Sequence, residues 1–417
     1  MRRVLHVTNI PTPYRVPQLN EMHRQFAEQG YELRVAFGGL GYSRRKWEVD
    51  LGGCAFDYYV LKHAVKVGRG SGRVVFLYGG LYRVLAAFRP DVVTVTGFSA
   101  ATAKLWLLSL VTGLRYVIFS GSVAARHEGG WRGVPRRVLA ARAAGGVAYG
   151  TKAREYLASL GIPAESVAIA INTVDVQFFK EAVERVAVER VAVERVAAER
   201  QGDGHEAGPK RLLVISYLSR DKRLTQLLRV IAALAARRDD FVLDVVGDGE
   251  DRANLEAFVR QHGLGERVRF HGFRQREELP AFLARSHCFL FQTGLDIWGL
   301  VLNEAMAAGL PCVVSPNAGG ACDLVVEGRT GFVVDYEDVS AAAARIEYLL
   351  DHPEAARRMG AEGQRFVLTH ASLERSARGF VEAVLAAERV PAPPVEAAAY
   401  APTGASGGPG RTGEAAP

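Results

Sequence analysis

A chain of 417 residues, 49% of them apolar, is too long for one ordinary core and implies two globular domains. The formal charge of +7 is unevenly placed: residues 1–150 hold about 21 Lys and Arg against about 8 Asp and Glu, so the first half is cationic and the remainder acidic. No apolar run approaches the roughly 20 residues that span a bilayer, no leader-like stretch follows Arg3, and Cys54, Cys288, Cys312 and Cys322 lack any CxxC or metal spacing. These features point to a cytoplasmic protein without disulfides or a zinc site. The basic first half suits an anionic membrane surface or a phosphorylated substrate. Without a helix-turn-helix, RNP or OB-like aromatic pattern, it argues against nucleic acid.

In chain order, RVLHVT reads as a strand and the loop NIPTPYR follows it. A helix comes next, with Val16, Leu19, Met22, His23 and Phe26 at helical spacing. This is the first βα unit of a Rossmann-like half. Pro11 and Pro13 stiffen the loop and leave Tyr14 and Arg15 at the crevice edge, able to touch a substrate; alternatively Pro13 and Tyr14 only start the helix. The alternation continues with ELRVAF, FDYYVL, a helix over 74–88, DVVTV, a helix over 101–110, and RYVIF, which implies a parallel sheet covered on both faces. The glycine-rich SGSVAARHEGGWRG lies at a strand's C-terminal end, where open α/β sheets bind ligands, and offers Ser120, Ser122, His127 and Trp131. A helix near Val138, then VAYGTKAREYLASLGI and VAIAINTVDVQFF, completes this half.

Residues 183–200 repeat VERVA. A five-residue period advances about 140° on a helix and builds no apolar stripe, so the segment reads as a solvated helical spacer followed by a flexible link. At RLLVIS the alternation restarts: a helix from Arg223, FVLDVV, GDGED opening a helix, RVRFHG, a helix near Leu279, and HCFLF. Gly247 and Gly249 permit close approach above FVLDVV, although a lone GxG is weak evidence for phosphate.

The stretch 292–320 organises this half, with a helix over 299–308 followed by the strand PCVVS. Asp296 lies on the loop entering the helix and Glu304 within it, among Leu300, Ala305, Met306 and Ala308. A carboxylate in such apolar company needs a partner, either a salt bridge or a ligand. Lys222, just beyond a strand, suits a pyrophosphate, as do the amides opening the helix at Gly299, Leu300 and Val301. Asp296 and Glu304 suit sugar and ribose hydroxyls. The organisation expected is a Rossmann-like domain over 1–175, a helical repeat spacer and linker over 176–209, a second Rossmann-like domain over 210–370, a C-terminal helix over 371–389 and a disordered tail over 390–417. Two such domains face each other across a cleft that suits two separately bound substrates.

The stretches YGTKAREYLASLGIP, AINTVDVQFF, VVGDGE, RVRFHGF and above all DIWGLVLNEAMAAGLPCVVSPNAGGACDLV through GRTGFVVD resemble the retaining, GT-B fold glycosyltransferases of family 4. The likeness covers most of residues 1–388. NIPTPYRVPQLNEM is similar to the N-termini of bacterial members that build surface polysaccharides or decorate small molecules. The resemblance implies a nucleotide-sugar donor in the second half, a small-molecule or lipid-linked acceptor in the first, and no metal or other cofactor. By resemblance, Glu304 matches the ribose-binding second glutamate of a paired-glutamate motif, Asp296 takes the place of the first, and Lys222 is the cation on the pyrophosphate. Three positions depart from the pattern. Asp296 replaces a Glu, Tyr217 stands where an Arg is usual, and Ser120 to Ser122 occupy the place of a His that His127 does not align with. These departures keep two other readings open: a non-catalytic nucleotide-sugar-binding partner protein, and a nucleotide-sugar epimerase.

Overall fold

The chain begins on strand β1 (Arg2–Thr8) and helix α1 (Arg15–Glu28), then continues through β2 (Tyr31–Phe37) and β3 (Asp57–Val60) in a computed structural model that describes residues 1–41, 51–67, 73–123, 133–201 and 208–391. After a β4–β5 ribbon (Lys62–Val67, Arg73–Gly79) come α2 (Leu81–Phe88), β6 (Val92–Thr96), α3 (Ala100–Thr112), β7 (Arg115–Ser120), α4 (Val134–Ala140), β8 (Gly145–Ala148), α5 (Thr151–Ser159) and β9 (Val167–Ile169). Seven parallel strands make one sheet in the order β3-β2-β1-β6-β7-β8-β9. A residue-by-residue register, such as Val4 with both Leu33 and Val92, holds it together. The helix expected over 74–88 is corrected: its first part is strand β5, paired antiparallel with β4, and only residues from Leu81 are helical. RVVFLYG is β-branched and aromatic, and Gly80 at φ 89° breaks the chain before the helix.

Helix α6 (Val176–Gln201) contains the VERVA repeat, but its first turns are core rather than spacer. Val176, Phe179 and Ala182 are buried, and Val176 and Phe179 pack with residues of the second half. That half holds β10 (Lys210–Ile215), α7 (Leu224–Ala235), β11 (Phe241–Val246), α8 (Arg252–Gln261), β12 (Val268–Gly272), α9 (Leu279–Ala284), β13 (Cys288–Phe291), α10 (Leu300–Ala307), β14 (Cys312–Val314), α11 (Ala321–Leu324), β15 (Gly331–Val333), α12 (Val339–Asp351) and α13 (Pro353–His370). Its six strands are parallel, ordered β12-β11-β10-β13-β14-β15. The last helix, α14 (Leu373–Arg389), returns to the first domain. Ala377, Phe380 and Val384 join Val4, Leu19, Met22 and Phe26 in one apolar cluster. Each such large side chain is worth about 1.5–3 kcal/mol on burial, which ties both ends of the chain into one body.

Strand order reverses between β1 and β6 in the first sheet and between β10 and β13 in the second. At a reversal the loops leave in opposite directions and open a crevice at the strands' C-terminal ends. Tyr14 and Arg15 follow β1. Lys222 follows β10, and Asp296 follows β13.

Candidate functional site

In the second domain the two loops at the reversal are stitched together. The Gly294 amide donates to the Asp221 carbonyl at 3.0 Å, and a side chain at Gly294 would press on that oxygen. Lys222, on a single 3-10 turn, places Nζ against Asp296 Oδ2 in an ion pair, with both side chains mostly buried. The other Asp296 oxygen, Oδ1, accepts from the Trp298 amide at 3.1 Å. The Asp296 backbone is held by Asn317 O at 3.1 Å and Gly319 N at 2.9 Å. Gly319 is required here, because a Cβ would overlap the Ile297 carbonyl oxygen. Asp296 is therefore fixed by a cation on one side and by backbone on the other.

Gly299, at φ 91° with its face against the Phe291 ring, turns the chain into α10. The amides of Leu300 and Val301 open that helix, where no intrahelical acceptor reaches them. One turn on, Glu304 aims Oε2 into a buried position with no hydrogen-bond partner among the described residues. Burial pushes its carboxyl up to about 8, against the pull of the Arg276 guanidinium. Arg276 lies 3.9 Å above the Phe178 ring and 3.7 Å from Asp175 Oδ2. Thr293 Oγ1 and Asn172 Oδ1 are likewise buried without partners. Buried polar atoms are normally paired, so each of these unpaired groups is a candidate for contact with a ligand.

Gly247 and Gly249 lie against the chain's own backbone. A Cβ at either would overlap the carbonyl of Ser216 or Leu218, so what approaches them is the chain's own backbone. They seat the loop that carries Tyr217 and Lys222. Tyr217 itself is exposed.

On the facing domain, Arg15 Nη2 donates to Tyr149 Oη at 2.8 Å, and its other prong bonds Gln18 Oε1. Its guanidinium stands 5.2 Å from the Phe119 centroid and 5.3 Å from that of Tyr149. Gln18 is buried and donates to Ser376 Oγ of α14 at 2.8 Å. Beneath them His6 is held neutral, its imidazole pushed down to about 3 by burial and by the Arg15 charge. Tyr14 starts α1 and packs against the apolar cluster of the second domain. Ser120 is buried at the end of β7 and accepts from the Ser122 amide at 3.1 Å. His127 and Trp131 lie outside the described residues.

Besides Tyr14, the domains touch through residues of α5 and its entry. Thr151, opening α5, donates its amide to both Asp323 carboxylate oxygens at 3.1 Å and its hydroxyl to Oδ1 at 2.6 Å. Lys152 Nζ reaches Pro316 O at 3.3 Å. Gly150 has no room for a Cβ because Asp323 and Trp298 press on it, and Gly121 is enclosed by Tyr149 and Ile297. Trp298 Nε1 donates to Asn303 Oδ1 at 3.0 Å, and Asn303 Nδ2 reaches Asn172 O at 3.4 Å. Ile297, Trp298, Asn303 and Pro316 of this contact belong to the segment 292–320 that carries Asp296, and Asp323 lies just beyond it. The only sequence signal for the contact is the paired glycines Gly319 and Gly320 beside an acidic residue.

Comparison with known proteins adds to this geometry. Residues 16–173 match the model described as a glycosyl transferase 4-like domain, and residues 196–366 match that of glycosyl transferases group 1. The chain is 35% identical over 164 residues to a GDP-mannose-dependent alpha-(1-6)-phosphatidylinositol monomannoside mannosyltransferase of Mycolicibacterium smegmatis, covering 38% of this chain and 43% of that protein. It is 33% identical over 151 residues to a 2-deoxystreptamine glucosyltransferase of Streptomyces kanamyceticus, covering 36% of this chain and 38% of that one. The matched region thus spans less than half the length of either relative. In three dimensions the chain superposes on Anabaena Alr3699/HepE in complex with UDP with a TM-score of 0.69 at 17% identity, covering 92% of this chain and 100% of the other. The architecture is the GT-B fold of two facing Rossmann-like domains.

Proposed function

We infer that the chain, which pairs a glycosyl transferase 4-like domain with a group 1 glycosyl transferase domain, moves a sugar from a UDP- or GDP-sugar to a hydroxyl acceptor with retention of configuration. The observation that carries this reading is Glu304, a carboxylate with a buried, unpartnered oxygen one turn inside a helix entered by the loop whose Asp296 pairs with Lys222. A ribose diol supplies the two donors that such a carboxylate lacks. The donor's diphosphate is then met by Lys222 and by the amides of Leu300 and Val301. For this Lys222 trades Asp296 for phosphate, and the freed Asp296 carboxylate turns to the hydroxyls of the donor sugar. In the transfer step the bond from the anomeric carbon to the leaving phosphate oxygen breaks while the acceptor oxygen bonds to the same face. The departing phosphate takes the acceptor's proton, and the protein stabilises the developing charge. No metal or other cofactor enters this scheme, so activity should survive EDTA. Tyr14, Arg15, Ser120 and Ser122 are assigned to the acceptor side, and His127 is assigned with Asp296, Glu304 and Lys222 to the catalytic group.

The test is to incubate the full chain with UDP- and GDP-sugars and candidate acceptors and to read the product's anomeric configuration by NMR. Retention supports the reading, and inversion overturns it. A second reading has one observation in its favour: the exposed Tyr217 where a cation would serve the diphosphate. Calorimetric donor binding with neither hydrolysis nor transfer would select a non-catalytic nucleotide-sugar-binding partner. Acceptor-free interconversion of the donor would select an epimerase.

The two relatives differ in acceptor, one named for a phosphatidylinositol mannoside and one for 2-deoxystreptamine. No described helix is long and apolar enough to cross a membrane. A lipid-linked acceptor therefore calls for peripheral attachment through the basic first domain at the cytoplasmic membrane face. Flotation with anionic vesicles, reversed by salt, checks it.

A further inference from the structure

Arg15 differs from several half-buried arginines of the molecule and shares with Arg136, whose partner is Tyr156 Oη, a hydrogen bond to a tyrosine hydroxyl. Arg15 alone of the two follows β1 at a strand-order reversal. Arg211 and Arg285 share Asp244, and Arg276 has Asp175. Arg15 has no carboxylate partner among the described residues. Both of its hydrogen bonds go to neutral acceptors, Tyr149 Oη and Gln18 Oε1, and the rings of Phe119, Tyr149 and Tyr14 surround it. It opens a 14-residue helix with no acidic residue in its first turn, so a cation stands at the positive end of the helix dipole. The Arg15 and Val16 amides are already taken by Thr12, which leaves the guanidinium's remaining N–H groups as the donors at this end of the helix. Lys152, in the same interdomain region, also has only a carbonyl partner. A half-buried charge without a counter-charge is costly, and this one is held rigidly in place by buried Gln18 and Ser376. Its partner Tyr149 lies beside Gly121, which Ile297 of the segment bearing Asp296 also encloses.

We propose that Arg15 is an anion-binding subsite of the acceptor, and that the acceptor carries a phosphate or carboxylate group in addition to the hydroxyl that receives the sugar. The planar fork of the guanidinium matches either group in two-pronged fashion, with Tyr149 Oη alongside. This rests on the glycosyl-transfer reading for the word acceptor, but the binding test does not.

With UDP or GDP first titrated to saturation to fill the donor half, the full chain is titrated calorimetrically with methyl phosphate and with acetate, then with methanol as the uncharged control. Wild type should bind at least one of the anions and not methanol. Arg15→Gln should weaken that binding about tenfold or more, and Arg15→Lys should recover part of it, with nucleotide affinity unchanged in both. Equal anion affinity in wild type and Arg15→Gln overturns the proposal, as does a wild type that binds neither anion. A tenfold loss of UDP or GDP affinity in Arg15→Gln also overturns it, by assigning Arg15 to the donor's diphosphate. Arg15→Lys keeps the charge should Arg15→Gln fail to fold. Failure of wild type to bind any nucleotide would instead strike the nucleotide-sugar reading, and leaves the anion titration interpretable by itself.

Discussion

The two strand-order reversals are built alike and furnished oppositely. In the second domain the cation and one carboxylate satisfy each other, Lys222 with Asp296, and it is the second carboxylate, Glu304, that lacks a partner. In the first domain it is the cation, Arg15, that lacks a counter-charge among the described residues. One half is therefore short of hydrogen-bond donors and the other short of negative charge. A diol-bearing diphosphate suits the first deficit and an acidic group the second. Equivalent positions in a repeated fold are thus furnished for chemically different molecules by what each leaves unsatisfied, and the proposed donor and acceptor follow from that difference.

The largest effect is expected at Glu304. Glu304→Gln should lower transfer by about 100-fold or more, because it removes a charged acceptor from the donor's ribose, and nucleotide affinity by calorimetry should fall with it. An unchanged rate would remove Glu304 from the site. Lys222→Met should cost about 100-fold and also leave Asp296 without its cation. A double variant with Asp296→Asn should then be far less than additive, which a four-way cycle of rates measures. Tyr217→Arg adds a cation beside the diphosphate position and should tighten UDP or GDP binding by up to about tenfold; weaker binding would show that the loop does not face the phosphates. Asp323→Asn, at the domain contact, should lower turnover by roughly 3- to 10-fold while leaving nucleotide affinity intact, with a larger radius of gyration in solution scattering.

The smallest effect has a defined sign. The Glu304 carboxyl is raised in the folded chain to about 8, above its unfolded value. Between the unfolded and folded values the native state holds a proton that the unfolded state has lost. The stability contribution therefore falls as pH rises through that window and is constant above it. Glu304→Gln should match wild type near pH 4 and be more stable by about 1–2 kcal/mol near pH 8.5 in urea denaturation, a figure reduced for partial solvent screening. Wild-type nucleotide affinity should rise towards pH 8, since the diol needs the ionised form.

The second domain was the more readable in sequence because its signals are local. A carboxylate at Glu304 surrounded by Leu300, Ala305 and Met306 contradicts its own helix, and that contradiction calls for a partner, either a salt bridge or a ligand. Lys222 was placed by its distance beyond a strand. The alternation of strands and helices also sufficed for the two sheets. Three things escaped for physical reasons. The β4–β5 ribbon has a pattern compatible with either period over so short a run, and only its antiparallel partner decides it. The duties of Gly247 and Gly249 depend on where the backbone of Ser216 and Leu218 passes. The Thr151 bond to Asp323 joins residues 172 positions apart, so neither end predicts the other. His127, singled out from its loop, lies outside the described residues.

The return of α14 to the first domain has a mechanical consequence. Because the chain leaves that domain near Val174 and comes back near Ala371, the two lobes are joined by two crossings. Those crossings are bonded to each other, Thr173 Oγ1 donating to the Ala371 carbonyl, with Asn303 Nδ2 on the same hydroxyl. A body tied to another at one point can swivel and tumble; tied by two adjoining strands, it keeps only the swing about the line through them. The lobes are thus leaves on a pinned hinge, and Asn303, bonded both to the pin and to Trp298 of the loop bearing Asp296, links the pivot directly to that loop.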